Sequence, residues 1–507
     1  MIMFSRSLLL ILLFSISNDC ISQRALVNTG KPRTIITTDG ELDDVDSFIR
    51  MLLYSNEYKV EGLIISSSQW HYKGDGKGTK FTSEMDMTKS MYGERTELRW
   101  PGEQWIYDLV DAYGKVYPSL IKHSKDFPSH QYLTDLIKIG NIDFEGEMEK
   151  DTPGSDHIKQ KLLDDDMTPL YLQVWGGTNT IARALKSIED QYKNTSEWKK
   201  IYNKVCKKAI IYAILDQDAT YRKYISVYWP DVKIYYNASQ FWVFAYFWKR
   251  AVPQPLQVYL EGKFMGENII NNHGPLTKMY YSYGDGNPPK GEIDDIYSSM
   301  EQAKNNQWGS FGQFDFISEG DSPAFLHLVN VGLENLDHPE YGGWGGRLVQ
   351  SKQQVNRWED GANAADFNPY SDSMDLAYAQ SRWVPVIQED FAARADWCVT
   401  DYDQANHAPS VSVKGEKNRM VKSGSKIKLK FKLKDPDKDK VSLKLWQYKE
   451  AGSGKHSLLI SANGNNGASV EIPNAAKSGE TYHLIAEGRD GGSPAMTRYE
   501  RIIFKIE

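Results

Sequence analysis

Cysteine is scarce in this chain: three in 507 residues, and one of these, Cys20, falls in a leader-like start. The other two, Cys206 and Cys398, exclude a disulfide scaffold and a thiolate metal centre. They leave one long-range bridge or two unpaired thiols as the alternatives. Positive charge is also in deficit. With 60 Lys and Arg against 67 Asp and Glu, a net charge of -7, no basic surplus exists to neutralise phosphates, so nucleic acid is not an expected partner. Long apolar runs are missing as well. The run from Leu8 to Ile16 is too short for a bilayer, which takes roughly 20 residues. One Arg before it and small residues after it fit a secretory signal over residues 1–22, removed near Ser17 to Ser22. The mature chain is therefore expected to be secreted or periplasmic with no membrane span. Asp19 occupies the place where a lipoprotein signal needs a small residue, so lipid anchoring at Cys20 is not expected. Neither "YGGWGGR" (341–347) nor "GDGKGTK" (74–80) has the lysine of a phosphate-binding loop in place, and no Ser-centred nucleophile elbow is evident. His273 and His338 lie in loops without metal-ligand spacing and read as ordinary polar residues.

What is abundant is aromatic: 12% of the chain, with 14 Trp and 30 Tyr, suited either to large cores or to stacking on sugars and bases. From Arg33 short apolar runs alternate with helical patterns. "RTIITT" (33–38), "KVEGLIISSS" (59–68), "PLYLQVW" (169–175) and "KAIIYAI" (208–214) read as strands. Val45, Phe48, Ile49, Leu52 and Leu53 recur at helical spacing, and further helices are expected near Gln104–Tyr117 and Tyr132–Ile139. Such alternation predicts an α/β fold, a mostly parallel sheet flanked by helices, with ligands outside the carboxyl ends of its strands. Residues 23–402 are read as this domain, with an elaborated insertion over 74–166 and a Gly/Pro/Tyr-rich loop over 271–312. After the linker 403–409 the helical periodicity vanishes. Six or seven short alternating strands over 410–507 predict a small all-β sandwich of immunoglobulin type without a disulfide.

The first strand ends in "ITTDGELDDVDSF" (36–48), five carboxylates in thirteen positions at a strand-to-helix junction. Helix capping explains part of it, since an acidic side chain in the first turn gains roughly 0.3–1 kcal/mol from the helix dipole. Capping does not explain Asp39, Glu41, Asp43 and Asp44 together, because their mutual repulsion opposes that gain. A divalent cation would remove the conflict, and Ca²⁺ takes 6–8 oxygen ligands. An EF-hand is excluded: counted from Asp39, its glycine place holds Asp44 and its final Glu place holds Arg50. Glu41 and Asp46 receive no task and are expected to face solvent. "SSSQWH" (66–71) adds Gln69 and His71, and the glycines of "VWGGTNT" (174–180) let backbone carbonyls turn toward a ligand. "SEGDSPAFLHL" (318–328) places Glu319 and Asp321 before a helix, where a cap is the local alternative.

"TTDGELDDVDS" resembles the amino-terminal DxDPGxDDA motif of nucleoside hydrolases, and "LQVWGGTNTIARAL" is similar to that family's strand-Thr-Gly-Gly-Leu-Thr-Asn-Ile-Ala stretch. With "EGDSPAFL" and "DFAARADWC" (390–398), nearly all of the mature chain resembles the secreted nucleoside-hydrolase-like proteins described as cellulose-binding. The resemblance implies Ca²⁺ held by Asp39, Asp44, the Trp175 backbone carbonyl and Asp321. It implies Asp39 as the base for a metal-bound water attacking an anomeric carbon, and Asp43 near a sugar hydroxyl. Gln69 stands where the family has an Asn that helps hold ribose. Trp70, Asn179, Glu319 and Trp344 complete the expected substrate contacts. Thr37 stands in place of the motif's first Asp, Gly40-Glu41 replaces Pro-Gly, and the usual downstream His-Asp pair is absent, since Gly320 precedes Asp321. Three functions follow: a calcium-dependent glycosidic-bond hydrolase acting on an N-glycoside or other linked sugar, a non-catalytic polysaccharide-binding protein on the same scaffold, or an adhesion or structural module in which the sandwich domain dominates.

Overall fold

The computed structural model describes residues 30–293 and 295–507; the expected secretory signal lies outside them. Strand β1 (Arg33–Thr38) is buried along its whole length, and its β-branched side chains suit a strand covered on both faces. Successive residues point to opposite faces, so Ile36 enters one hydrophobic core and Ile35 the other. The remaining strands are β2 (Lys59–Ile65), β3 (Ile137–Ile139), β4 (Leu170–Val174), β5 (Ala209–Ile214), β6 (Lys233–Asn237), β7 (Val349–Gln350) and β8 (Arg357–Glu359). They form one eight-stranded sheet in the order β3-β2-β1-β4-β5-β6-β8-β7. Every pairing is parallel except β8 with β7. The chain builds outward from β1 to β2 and β3, then returns to the other side of β1 with β4. That reversal opens a crevice at the carboxyl ends of β1 and β4.

Helices α1 (Leu42–Leu53), α2 (Gln104–His123), α3 (Pro153–Leu163), α4 (Asn179–Tyr192), α5 (Trp198–Lys208) and α6 (Val384–Asp396) cover the sheet. The helix expected over Tyr132–Ile139 stops at Leu136, and Ile137–Ile139 instead form the edge strand β3. Three residues are too short for their pairing with β2 to register as a pattern.

The carboxyl-terminal part is all β, with β9 (Ser410–Val413), β10 (Asn418–Val421), β11 (Lys426–Lys434), β12 (Ser442–Gln447), β13 (Leu459–Ala462), β14 (Gly467–Glu471), β15 (Thr481–Arg489) and β16 (Thr497–Ile506). Two four-stranded sheets, β9-β11-β14-β13 and β10-β16-β15-β12, enclose Val411, Leu429, Phe431, Val470, Leu484 and Phe504. All pairs are antiparallel except β10 with β16. The second sheet lies against the α/β part: the Tyr499 amide donates to Val331 O at 2.8 Å and Arg501 Nε donates to Leu333 O at 2.7 Å.

Candidate active site

The crevice carries its acidic residues because β1 and α1 are joined by only three residues. Gly40 makes the turn at φ +78, a conformation natural to glycine, and a Cβ there would lie 2.7 Å from the Trp105 indole nitrogen. Glu41 occupies the N-cap of α1 without a side-chain capping bond, and its carbonyl accepts from Val45 N at 3.1 Å. Asp43 and Asp44 then fall in the first turn, where the helix dipole favours negative charge. A second short helix (Ser322–Leu326) begins at the same place with Asp321 at its N-cap, again with no side-chain cap bond. One carboxylate oxygen from each of Asp43, Asp44 and Asp321 lies within 4.8 Å of the other two. The capping alternative therefore does not account for these side chains; they face one another instead.

Asp39 closes the group and is 1% exposed, with Oδ2 lacking any hydrogen-bond partner. His71 Nδ1 stands 3.6 Å from that oxygen and 3.8 Å from Glu41 Oε2. Asp44 accepts from the Thr38 hydroxyl, and Ser318 Oγ reaches Asp43 Oδ2 at 3.4 Å. Burial first, then repulsion from neighbouring carboxylates, pushes Asp43, Asp44 and Asp321 well above the usual carboxylate range. Burial acts on Asp39 in the same direction but is outweighed by the attraction of the nearby His71 ring, with the polar groups of Ser68 and Asp44 adding to it, so Asp39 lies below its ordinary value.

The donor set fits a hard divalent cation. It is all oxygen, it includes a buried orphan, and two glycines keep space around it. A Cβ on Gly320 would lie 2.7 Å from Asp43 Oδ2, and one on Gly176 would lie 2.8 Å from Asp39 Cγ. The Trp175 carbonyl accepts from Gln217 Nε2 at 2.9 Å, which leaves one lone pair. The Trp175 ring itself is buried edge-on to Phe48 at 5.7 Å and forms no pocket wall.

The other residues read from the sequence are placed differently. Glu319 is fully buried and paired with Arg50, whose Nη2 donates to Oε1 at 2.8 Å, while Ser322 Oγ donates to Oε2 at 2.6 Å and Tyr280 completes its shell. Asn179 spends its side chain inside the protein, donating to Ser67 Oγ at 2.9 Å and Asn141 O at 3.0 Å and accepting from Thr180 N at 2.9 Å. Gln69 Oε1 accepts from Thr88 Oγ1 at 2.7 Å. Trp344 is fully buried beneath Arg498, 5.6 Å from the ring centroid. Trp70 alone among these is half-buried, edge-on to Tyr92 at 6.4 Å. Thr37 donates its hydroxyl to Gln173 O at 3.1 Å, so that position serves the sheet. Asp46 and Glu41 do not face solvent as expected. Asp46 is fully buried and accepts from Tyr281 N at 2.8 Å. Glu41 accepts from Tyr246 OH at 3.0 Å and lies 3.6 Å from Arg99, which also pairs with Glu292.

Arg99, Tyr246 and Glu292 are site neighbours that no local pattern announced. Glu145 is a further buried carboxylate: it is 6% exposed, with neither carboxylate oxygen hydrogen-bonded. Burial raises it to about 7, aided by Asp218 and Asp216 and eased by Ser83 and Arg222.

The comparisons agree with this architecture. A nucleoside hydrolase-related hypothetical protein from Saccharophagus degradans, associated with carbohydrate metabolism, is similar over 94% of this chain and 100% of its own, at 26% identity and TM-score 0.67. A plant nucleoside hydrolase aligns over 72% of this chain and 99% of its own, at 10% identity and TM-score 0.30, too distant to bear on the site. No curated protein of known function matches. Residues 426–506 match the family model for the C-terminal domain of cellulose-binding protein Sde0182. With residues 33–348 matching the model for the nucleoside hydrolase-like domain of cellulose-binding Sde182, the chain belongs to that nucleoside-hydrolase-like, cellulose-binding family.

Proposed function

We propose that this chain is a divalent-cation-dependent hydrolase of glycosidic bonds, with Asp39 as general base and Ca²⁺ as the cation. The observation that carries the reading is the buried, unpartnered Asp39 Oδ2 beside the Asp43–Asp44–Asp321 group at the carboxyl end of the sheet. Asp43, Asp44 and Asp321 would hold the cation, with Asp39 and the Trp175 carbonyl as further donors. A bound Ca²⁺ supplies positive charge that lowers the pKa of water and chelates sugar hydroxyls. Asp39 accepts the proton of the attacking water through Oδ2, and His71 holds that carboxylate ionised and oriented. Water attacks the anomeric carbon as the glycosidic bond breaks, the leaving group departs with the bonding pair and takes up a proton from solvent in exchange for the one released by Asp39, and the surrounding carboxylates stabilise the cationic character of the sugar ring. Arg99, paired with Glu41 and Glu292, adds positive charge beside the acidic group.

A second reading, polysaccharide binding without turnover, is favoured by one observation. Asn179 commits both its amide groups to internal hydrogen bonds, and the Gln69 carbonyl oxygen is taken by Thr88, which leaves only the Gln69 amide nitrogen to grip a ribose. The test is to purify the full chain, measure bound calcium, and screen nucleosides and oligosaccharides with the parent and Asp39→Asn. The proposal expects a kcat loss of roughly 10²–10⁴-fold. Turnover untouched by the substitution overturns the assignment of Asp39, and glycan binding without turnover in the parent establishes the second reading.

A further inference from the structure

We propose that the outward face of the β9-β11-β14-β13 sheet is a docking surface for an anionic polysaccharide laid along β11. Lys426, Lys428, Lys430, Lys432 and Lys434 occupy alternate positions of that strand, and all five are exposed. Their neighbours Ile427, Leu429, Phe431 and Leu433 turn inward to the sandwich core. Cross-strand register extends the face. Ser410 and Ser412 stand opposite Lys434 and Lys432, while Ser469 and Glu471 stand opposite Lys428 and Lys426. Ser461 and Leu459 lie beyond them on β13. Lys414, just past β9, is exposed and donates its amide to Lys430 O at 2.8 Å. Among the described residues this face therefore carries six lysines and one carboxylate, Glu471, which pairs with Lys426 at 2.6 Å. The whole chain, by contrast, has a net charge of -7.

Folding needs account for only part of the row. Lys426–Lys430 pair with β14 and Phe431–Lys434 with β9, so each half of β11 has one open edge where lysine blocks unwanted pairing, yet the alternation runs unbroken across both halves. Alternate residues on a strand are roughly 7 Å apart, inside the ~8 Å screening length at physiological salt. Neighbouring ammonium groups therefore repel, which weakens the sheet. The row spans about 27 Å, a straight line of positive charge matched to a polymer with regularly spaced anions. The face has no arginine for bidentate phosphate contacts and no aromatic side chain for base stacking, which disfavours nucleic acid. Exposed serines flank the lysines on both sides, Ser410 and Ser412 on β9 and Ser461 on β13, where the hydroxyls of a sugar chain would lie; Ser469 between them is buried. The surface belongs to the sheet facing away from the α/β part and does not depend on any chemistry at Asp39.

Polygalacturonate is the probe, measured against the full-length chain by affinity electrophoresis and calorimetry across ionic strength. The parent should bind it, more weakly as salt rises. The triple variant Lys428→Gln/Lys430→Gln/Lys432→Gln should lose at least about tenfold in affinity with an unchanged or raised melting temperature. The matching Lys→Arg triple should retain binding. The proposal is overturned by absence of binding at low salt, by equal binding of the Gln triple, or by tighter binding of duplex DNA or phosphatidylserine vesicles at the same ionic strength.

Discussion

Two buried carboxylates, one paired and one unpaired, act on stability in opposite ways at the level of single residues. Glu319 lies two positions from Asp321, yet it is enclosed by Arg50, Tyr280 and Ser322, and the Arg50 guanidinium also stacks 3.9 Å from the Phe391 ring centroid. Leaving a buried charge without its partner costs about 3–5 kcal/mol. Arg50→Met should therefore lower the denaturant midpoint by that order while leaving the calcium affinity of the folded fraction close to the parent's; a loss of calcium binding without loss of stability would contradict the structural role. Glu145 makes the opposite case. Its carboxyl is raised from 4.5 to about 7, chiefly by burial. The folded state therefore holds a proton that the unfolded state has released between those values, so stability must fall as pH rises through that window. Glu145→Gln should flatten the decline in melting temperature from pH 4.5 to 7 and be the more stable protein above it. Identical pH profiles for the two proteins would show that Glu145 is not strained in this way.

At the scale of elements, the strand-to-helix junction carries most of the meaning, and it is also where the sequence was most readable. β1, β2, β4 and β5 are continuous apolar runs because both faces of the sheet are covered, and α1 announces itself by spacing and by acidic residues in its first turn. The meeting of Asp321 with Asp43 and Asp44 was reachable only through the resemblance, since 277 residues separate Asp321 from Asp44. The surroundings of Glu319, Asn179 and Trp344 were not legible at all, because their partners Arg50, Asn141 and Arg498 are set by tertiary packing between distant segments. Glu41 and Asp46 misled for a related reason: an acidic residue near a helix start is usually solvated, and here the segments bearing Arg99 and Tyr281 cover both. The two glycines beside the site offer a test at this scale. A Cβ on Gly320 would meet Asp43 Oδ2 at 2.7 Å, and the carboxylate must move to admit it. Gly320→Ala should weaken calcium binding, measured by titration calorimetry, with only a small change in melting temperature, and unchanged binding would remove Asp43 from the metal group.

At the scale of the molecule, the two parts are joined through the helix that carries "DFAARADWC". Asp390 on α6 is fully buried and accepts from Tyr54 OH at 2.8 Å, Arg394 Nε at 2.9 Å and Arg498 Nη1 at 2.8 Å. Tyr54 is the C-cap of α1, Arg394 also donates to Leu53 O at 2.9 Å, and Arg498 belongs to β16. One carboxylate thus ties the far end of the acidic helix to the carboxyl-terminal sheet. Three charges and a phenol satisfy one another there, which explains that motif by packing rather than by chemistry at the site. Nearby, Glu389 pairs with Arg489 of β15 at 2.7 Å. Removing Arg498 leaves Asp390 with Tyr54 and Arg394 only, and the loss of one charged hydrogen bond to a buried group costs about 1–3 kcal/mol. Arg498→Ala should lower the unfolding free energy by that amount in a denaturant titration followed by tryptophan fluorescence. Because the lost bond crosses between the two parts, it should also separate their unfolding into two transitions, with the all-β part released first. A single transition at the parent midpoint would mean that the parts unfold together through contacts other than Asp390, and that the end of α1 is held from within the α/β part alone.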